Sequence, residues 1–437
     1  MKPVQQLHLT TGFDRRLISP QGGRRHLVID LKVPACELDD GRRPPLHLAL
    51  VIDASGSMNG APLLAAQSAA RGVVESLRSC DRVTVVSFAS DVCLHVDTAD
   101  GDGRGKARAL DAIDALETRG CTNLYGGWEA GVERLDEAAV EGEQRRLVLL
   151  SDGHANQGEV DPEALGLHAE AAQLGRVFTS CIGIGDGYSP AQLQALAEHG
   201  GGRLHHAANA GEIVEVLLGE LGEIRRLFTE SARLSIELPA GIGAEPIGPT
   251  PWSLTAEGMV MELGGLVSGT SRTLVIRLAV PRLALADRFA ASVWLDWTDA
   301  ASQILHCEGP VSATMLCAPM SEVATETIDP VTTLALLKLI QRDIVRRATN
   351  LVEQRDQDAA AHLVREELHE FESLARDVNE ARKLVDTLRL FLDRLKRPIS
   401  PALSKEVMFF CCKSIRGEAD MREKASSHSL DTLFDLD

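Results

Sequence analysis

Residues 46–58 read LHLALVIDASGSM, an apolar run that ends in a loop of acidic, hydroxyl and glycine residues. The run is almost continuously apolar, which is typical of a strand buried on both faces in a parallel sheet. The loop leads to Pro62, and proline is favoured in the first turn of a helix. This order of strand, loop and helix predicts the first unit of an α/β domain.

The alternation of strand and helix patterns continues to residue 222. Strand candidates lie at residues 82–89, 146–152, 177–185 and 203–207, and helix candidates at residues 62–77, 104–116, 124–138, 162–174, 190–198 and 212–228. Strands that alternate with helices predict a central, mostly parallel sheet with helices on both faces. Residues 46–222 are therefore predicted to form a Rossmann-like α/β domain.

Segments on either side of this domain alternate apolar and polar residues with a period of two, as in antiparallel strands with one buried face. They comprise residues 26–33 before the domain and residues 232–238, 271–280, 291–297 and 311–317 after it. Because α/β domains tolerate insertion, residues 1–45 and 223–320 are predicted to form one discontinuous β-sandwich that carries the α/β domain. Two separate small β domains are the alternative.

The C-terminal part of the chain has a helical pattern. Beyond Pro330, apolar residues recur with a period near 3.6, as in Leu337 and Ile344. Residues 325–400 are predicted to form a helical hairpin or a three-helix cap. Residues 401–437 are predicted to form an extension with a flexible acidic tail, because Ser, Glu and Asp dominate its end.

Charge and composition exclude several classes of protein. The 437 residues include 45 Lys and Arg against 63 Asp and Glu, which gives a net charge of −18. Nucleic acids and anionic membranes bind cationic faces, so neither is expected as a partner. No stretch has the roughly 18 apolar residues of a membrane-spanning helix, and the first residues lack the apolar run of a signal peptide. A cytoplasmic protein without membrane insertion is expected.

Polar side chains with oxygen ligands follow three of the predicted elements. Asp53, Ser55 and Ser57 come directly after the first strand, Asp152 ends the strand at 146–152, and Thr122 precedes the helix that begins near residue 124. In open α/β sheets ligands gather at the carboxyl ends of the strands. A set of oxygen donors suits a hard cation such as Mg²⁺, whereas zinc favours His or Cys ligands.

The segments DASGS, CTNL and LLSDG together resemble the metal-ion-dependent adhesion site of von Willebrand factor type A domains. The resemblance implies that Ser55 and Ser57 bind the ion directly, and that Asp53, Thr122 and Asp152 bind it directly or through water. It implies Mg²⁺, with Mn²⁺ or Ca²⁺ as possible substitutes. It also implies an open coordination position, which a carboxylate of a partner protein fills.

The flanking segments resemble a wider architecture. GLVSGTSRTLVIRL at residues 265–278, the inserted topology and the helical region are similar to bacterial cytoplasmic proteins related to inter-alpha-trypsin inhibitor heavy chains. The resemblance implies a protein-interaction module or scaffold rather than an enzyme. It also leaves open a second class, a regulatory or adaptor subunit of an AAA-type ATPase.

A Ser-dependent hydrolase is the enzymatic alternative. Ser55 or Ser57 would be the nucleophile, His154 the base and Asp152 its partner. Neither serine lies in a GxSxG elbow, and His154 is too close in sequence to Asp152 to be readily oriented by it. The paired serines are better explained as ligands of a cation.

The segment SHSLDTLFDLD at residues 427–437 combines apolar side chains with aspartates. An otherwise polar tail has little reason to keep apolar anchors exposed, so the segment is predicted to be a recognition peptide. Docking on the chain's own helical cap is an alternative. In a third interpretation, one of its aspartates completes the metal coordination of a neighbouring molecule and so produces self-association.

Overall fold

The structure is a computed structural model that describes residues 7–35, 44–185, 187–207, 209–224, 226–248, 250–299, 304–327, 329–376, 378–397, 399, 407 and 411. The N-terminal strands are β1 (His8–Phe13), β2 (Leu17–Ile18) and β3 (Gly23–Lys32). The α/β elements are β4 (Leu46–Asp53), α1 (Ala61–Ser76), β5 (Arg82–Phe88), β6 (Val92–Asp100), α2 (Gly103–Asp114), α3 (Leu124–Glu137), β7 (Gln144–Ser151), α4 (Pro162–Leu174), β8 (Val177–Ile184), α5 (Pro190–His199), β9 (Gly201–Ala207) and α6 (Ala210–Ile224).

The remaining elements follow in two groups. The strands are β10 (Leu227–Glu237), β11 (Gly243–Ile247), β12 (Trp252–Leu254), β13 (Gly258–Val267), β14 (Ser271–Val280), β15 (Arg288–Asp299) and β16 (Leu305–Cys317). The helices are α7 (Met320–Thr325), α8 (Pro330–Glu353), α9 (Gln357–Ala375) and α10 (Arg382–Arg394).

The central sheet of the α/β region has the strand order β6-β5-β4-β7-β8-β9. All neighbours are parallel except β6, which runs antiparallel to β5. Every residue of β4 is buried, as the apolar run predicts. Strand order reverses between β4 and β7, so their carboxyl ends lie side by side at the position where such sheets bind ligands.

Helices cover both faces of this sheet. Leu48 and Leu50 of β4 pack in one hydrophobic cluster with α1, α2 and α6, whereas Ala49 and Val51 pack in a second cluster with α3, α4 and α5. The alternation follows from the geometry of a strand, where successive side chains point to opposite faces. The predicted Rossmann-like fold is confirmed.

One predicted helix end is wrong, and one strand of the central sheet was not predicted. The helix expected at residues 212–228 ends at Ile224, and Phe228 lies in strand β10. β6 was not expected because aspartates and a histidine interrupt its apolar residues, as suits an edge strand with one strand neighbour. Its pairing with β5 places the β5–β6 turn beside the end of β4.

Strands from both sides of the α/β region share the remaining sheets. One sheet has the order β1-β3-β14-β11, and β3 pairs with β14 over ten residues. The other has the order β12-β13-β10-β15-β16-β2. Ile29 and Ile276 of the first sheet share a hydrophobic cluster with Leu234, Val293 and Trp297 of the second. The domain boundaries drawn from the sequence stay predictions.

The helical region packs against the outside of the first of these sheets. Leu337 and Ile344 of α8, Phe371 of α9 and Leu388 of α10 lie in one cluster that also contains Val275 of β14. The C-terminal helical region predicted from the 3.6-residue period is confirmed. Of the predicted extension at residues 401–437, the structure describes only Val407 and Cys411, and the segment 427–437 lies outside the described residues.

None of the helices in the described part of the chain combines the length and the apolar character needed to cross a membrane. Cytoplasmic localisation stays a prediction.

A buried acid ties α6 to the central sheet. Glu220 of α6 accepts a hydrogen bond from the Ser180 hydroxyl, and its Oε2 atom lies 2.6 Å from Nε2 of His205. Burial alone would raise the pKa of the Glu220 carboxyl, but His205, Arg203 and Ser180 lower this pKa to about 2. The ionised form of Glu220 is therefore favoured in the folded protein.

Replacing Glu220 should make the protein less stable at neutral pH and less sensitive to acid. The folded pKa lies below the ordinary value, so the contribution of Glu220 is complete above about pH 4.5 and is lost as the pH falls toward 2. We expect Glu220→Gln to cost about 1–3 kcal/mol at pH 7 and less at pH 3, measured by urea unfolding. Glu237→Gln, at an exposed position of β10, is the control. An equal loss at both pH values would contradict the assignment.

Two glycines inside helices should respond in opposite ways to alanine. A β-carbon at Gly127 of α3 would lie 2.5 Å from the Phe88 ring, whereas a β-carbon at Gly219 of α6 would meet nothing within 4 Å. We expect Gly127→Ala to destabilise the protein by about 1–3 kcal/mol through overpacking. Gly219→Ala should stabilise it by about 0.5–1 kcal/mol, because alanine favours helix. Thermal unfolding of both variants measures the difference, and a shift of the same sign in both would refute it.

Candidate metal centre

The five oxygen-bearing residues predicted from the sequence lie together at the carboxyl edge of the central sheet. Asp53 is the last residue of β4, and Asp152 directly follows β7, the neighbouring strand. Ser55 and Ser57 lie in the loop between β4 and α1, and Thr122 lies two residues before α3. Three separate segments of the chain thus contribute to one small region.

Ser57 links the two acidic segments. Its hydroxyl donates a hydrogen bond of 2.6 Å to Oδ1 of Asp152, and its oxygen lies 3.0 Å from the hydroxyl oxygen of Ser55. Ser55 is buried, whereas Ser57 is exposed. The cluster therefore has an inner serine and an outer serine, and the outer one is exposed to solvent.

Asp53 is fully buried and fixed by two neighbours. The backbone N–H of Ser55 donates to its Oδ1 at 2.8 Å, and the hydroxyl of Ser151 donates to its Oδ2 at 2.6 Å. Burial raises the pKa of the Asp53 carboxyl to about 6, although the bonds from Ser151 and Ser55 oppose the rise. The nearby charge of Asp152 adds to the rise.

Asp152 is half-buried at the rim of the cluster. Burial raises the pKa of its carboxyl, and the hydrogen bond from Ser57 opposes this shift. Both acids of the cluster thus have pKa values displaced toward the neutral form. A divalent cation beside them would act in the opposite direction, because an adjacent positive charge favours the ionised carboxylates.

Backbone hydrogen bonds hold the Thr122 segment against the other two segments. The N–H of Arg119 donates to the carbonyl of Ala54 at 2.6 Å, and the N–H of Gly56 donates to the carbonyl of Gly120 at 3.2 Å. The N–H of Thr122 donates to Oδ1 of Asn156 at 3.0 Å. The position of Thr122 is therefore set by contacts with both the β4–α1 loop and the loop after β7.

The absence of a side chain at Gly153 leaves space between two of the hydroxyls. A β-carbon at this position would lie 3.4 Å from Oγ1 of Thr122 and 3.5 Å from Oγ of Ser57. The space is about the size of one methyl group and has hydroxyl oxygens from two loops at its border. A space of this size with oxygen donors fits a small hard cation such as Mg²⁺.

Among the described residues, the candidate centre included, no group of three or more His, Cys, Asp or Glu side chains is placed to hold a metal ion. The candidate centre has only two carboxylates and completes its donor set with hydroxyls. This donor set suits Mg²⁺ or Ca²⁺ better than Zn²⁺, which takes nitrogen and sulfur ligands.

The arrangement differs from the one that a Ser-dependent hydrolase would need. The Ser57 hydroxyl donates to a carboxylate, Asp152, rather than to an imidazole. A carboxylate in this position does not form the nucleophile–histidine–acid order of a catalytic triad. The Ser57 hydroxyl is thus engaged with an acid rather than with a base.

Two residues that shape the centre were not predicted from the sequence. Ser151 is the last residue of the apolar run RLVLLS. A hydroxyl residue at the end of such a run is a signal that its side chain bonds to a polar group at the end of a neighbouring strand. Asn156 makes two hydrogen bonds with the backbone of Thr122, one as acceptor and one as donor. Asn156 belongs to the irregular loop HANQG, where the sequence has no periodicity that reveals a partner.

The doubly covered parallel sheet and the oxygen cluster at its carboxyl edge define a Rossmann-like domain with a candidate cation site. The family profile of the von Willebrand factor type A domain matches residues 47–217. These residues are a von Willebrand factor type A domain, and domains of this family are in general protein-interaction modules.

Relatives with the same domain occur in bacteria and in animals. An uncharacterized protein of Synechocystis, sll0103, is 28% identical over 276 residues, which cover 60% of this chain and 64% of that protein. Human inter-alpha-trypsin inhibitor heavy chain H4 is 28% identical over 177 residues, which cover 38% of this chain and 19% of the heavy chain. The chain thus spans less than two thirds of either relative.

A solved structure shares the fold over nearly the whole chain. It is described as a von Willebrand factor type A protein from Catenulispora acidiphila, with a TM-score of 0.69 and 17% identity. The match covers 96% of this chain and 99% of that one. At this identity the match shows the fold alone.

Removing the Ser151 hydroxyl should destabilise the domain through Asp53. Ser151→Ala takes away the donor to a buried carboxylate oxygen, and we expect a loss of about 1–3 kcal/mol in urea unfolding at pH 7. Ser292→Ala is the control, since the Ser292 hydroxyl bonds only to that of Ser312 at an exposed site. The assigned role of Ser151 is wrong if both variants unfold at the wild-type urea concentration.

Proposed function

We propose that the protein is a metal-dependent protein-interaction module, which binds an acidic group of a partner protein through a divalent cation. The cation is held by Asp53, Ser55, Ser57, Thr122 and Asp152. Mg²⁺ is the proposed ion, and Mn²⁺ or Ca²⁺ can replace it. The observation that supports this proposal best is the chain of contacts from Ser55 through Ser57 to Asp152 at the carboxyl edge.

The donor set leaves a coordination position for a third acid. Mg²⁺ takes about six oxygen ligands, whereas the two acids and the hydroxyls of Ser55, Ser57 and Thr122 are five donor residues, so an oxygen of a partner can complete the set. Ser57 is exposed, so the outer side of the cluster is accessible from solvent. A carboxylate from an Asp or Glu of a partner is the proposed ligand for this side.

The cation would supply charge and a coordination position, and the chain would supply the geometry. Ser151 and the Ser55 backbone orient Asp53, Ser57 positions Asp152, and Asn156 holds the Thr122 segment. Binding and orienting an acidic ligand needs no nucleophile or proton transfer. We therefore propose a scaffold without enzymatic activity that acts in the cytoplasm.

Neither of the two alternative functions gains support from the relatives described above. The ATPase-adaptor hypothesis has no structural observation in its favour among the described residues. The net charge of −18 also makes nucleic acid a poor partner.

Loss of one acid should strongly weaken Mg²⁺ binding without unfolding the domain. We expect Asp53→Ala and Asp152→Ala each to lower the affinity for Mg²⁺ by at least about tenfold in isothermal titration calorimetry. Asp152→Ala should disturb the fold less than Asp53→Ala, since Asp152 is only half-buried and Asp53 is buried. Asp136→Ala is the matched control, because Asp136 pairs with Arg145 at an exposed site on α3. Wild-type Mg²⁺ affinity in folded Asp152→Ala would refute the proposed ligand set.

Partner binding should depend on the same residues. Proteins that are retained by the immobilised chain in Mg²⁺, released by EDTA, and lost from the Asp152→Ala variant would be partners of the kind proposed. Asp136→Ala should retain them. If Mg²⁺ binds as expected but no retained protein is released by EDTA, the metal site stands and the interaction function fails.

A further inference from the structure

A basic groove lies between α9 and α10 in the helical region, remote in sequence from the candidate metal centre. It encloses about 500 Å³, and its apolar lining residues are Ala375 and Val385. Arg376, Arg382 and Arg389 line the same groove. Glu372 and Asp386 line the groove as well, so three guanidinium groups lie beside two carboxylates.

Only one of these arginines has an acidic partner in the described structure. Arg389 lies 2.7 Å from Oε1 of Glu372 and 3.5 Å from Oδ1 of Asp386. Arg376 and Arg382 form no ion pair with any residue that the structure describes, and both are exposed. The groove therefore presents positive charge that its own described carboxylates do not balance.

We propose that the segment 427–437, SHSLDTLFDLD, of the same chain binds in this groove. Leu430, Leu433 and Phe434 have the spacing of one face of a helix, and Asp431 and Asp435 are four residues apart. Apolar side chains at this spacing are the usual anchors of a helix in a groove. In this arrangement the anchors contact Ala375 and Val385, and the aspartates pair with Arg376 and Arg382.

The chain can reach the groove from its last described residue. Val407 and Cys411 are buried in the same hydrophobic cluster as Ala375 and Val385, so the chain is fixed to the helical region at this point. Residues 412–426 then form a tether of fifteen residues, which extends to roughly 50 Å at most. A short tether gives the segment a high effective concentration at a groove on the same unit.

A synthetic peptide of residues 427–437 measures this interaction directly. The labelled peptide is titrated, by fluorescence anisotropy, into the full chain and into a chain shortened after residue 426. We expect binding to the shortened chain and at least about tenfold weaker binding to the full chain, where the tethered segment occupies the groove. Equal binding to both chains, or no binding to the shortened one, would overturn the proposal.

Charge reversal tests where the peptide binds. Arg376→Glu combined with Arg382→Glu should weaken peptide binding to the shortened chain by about tenfold or more. Arg104→Glu combined with Arg108→Glu makes the same charge change at exposed positions of α2 and should leave the affinity unchanged. A peptide with Asp431→Lys and Asp435→Lys should bind the reversed groove better than the wild-type peptide does. Equal weakening in both double variants would refute the groove as the site.

Two other sites for the segment give different results. If the segment docks on a second copy, the full chain is an oligomer that becomes a monomer when residues 427–437 are removed, as measured by light scattering. If an aspartate of the segment binds the metal centre, EDTA abolishes peptide binding and the reversed groove does not. Either result overturns docking in the groove of the same chain. Binding that is unaffected by EDTA, in a full chain that stays monomeric, supports it.

Discussion

The parallel pairing of β4 with β7 is the constraint on which the candidate centre depends. Ile52 pairs with Leu150 in this register, so the residues that follow, Asp53 and Ser151, meet at the same edge of the sheet. Their side chains are joined by a hydrogen bond across 98 residues of sequence. A shift by one residue would turn Ser151 to the other face and leave the buried carboxylate of Asp53 without this donor.

Keeping both acids of the candidate centre ionised costs free energy, and a bound cation would lower that cost. Asp53 is buried and Asp152 half-buried, and the pKa values of both carboxyls are raised. If the site binds a divalent ion as proposed, that ion would compete with protons for these oxygens, since each lowers the cost of keeping two acids close together. The hydrogen bonds from Ser151, Ser55 and Ser57 hold these oxygens in place.

Much of this arrangement was predictable because it depends on local patterns. The apolar run of β4 and the acid–hydroxyl loop after it mark a strand end in an α/β sheet, and LLSDG marks a second one. What the sequence does not reveal depends on tertiary contacts. Strand β6 is interrupted by polar residues that an edge position tolerates, and the role of Asn156 arises from a loop that packs on Thr122.

The end of α6 is a second feature that depends on tertiary contacts and that the sequence pattern does not reveal. The apolar pattern runs through Ile224 to Phe228 without a break, so periodicity alone extends the helix. In the structure the chain leaves the helix after Ile224, and Phe228 turns into the core shared by the two other sheets, where its ring lies 4.8 Å from that of Trp297. Phe228 thus packs with a residue 69 positions away, a contact that the periodicity of the sequence does not reveal.

The pairing of β3 with β14 has a consequence for how the chain is made. The Thr273 hydroxyl donates to the carboxylate of Asp30 across 243 residues, and the whole α/β region lies between them. At ordinary rates of translation, β3 waits roughly 12 to 50 s on the ribosome before β14, its second neighbour in the sheet, exists. The α/β region has all of its own strands by then, so it can fold first and carry the two halves of the β-sheet toward each other. For that interval the edge of β3 that later pairs with β14 is open, and an open apolar edge is a site where other chains can add a strand.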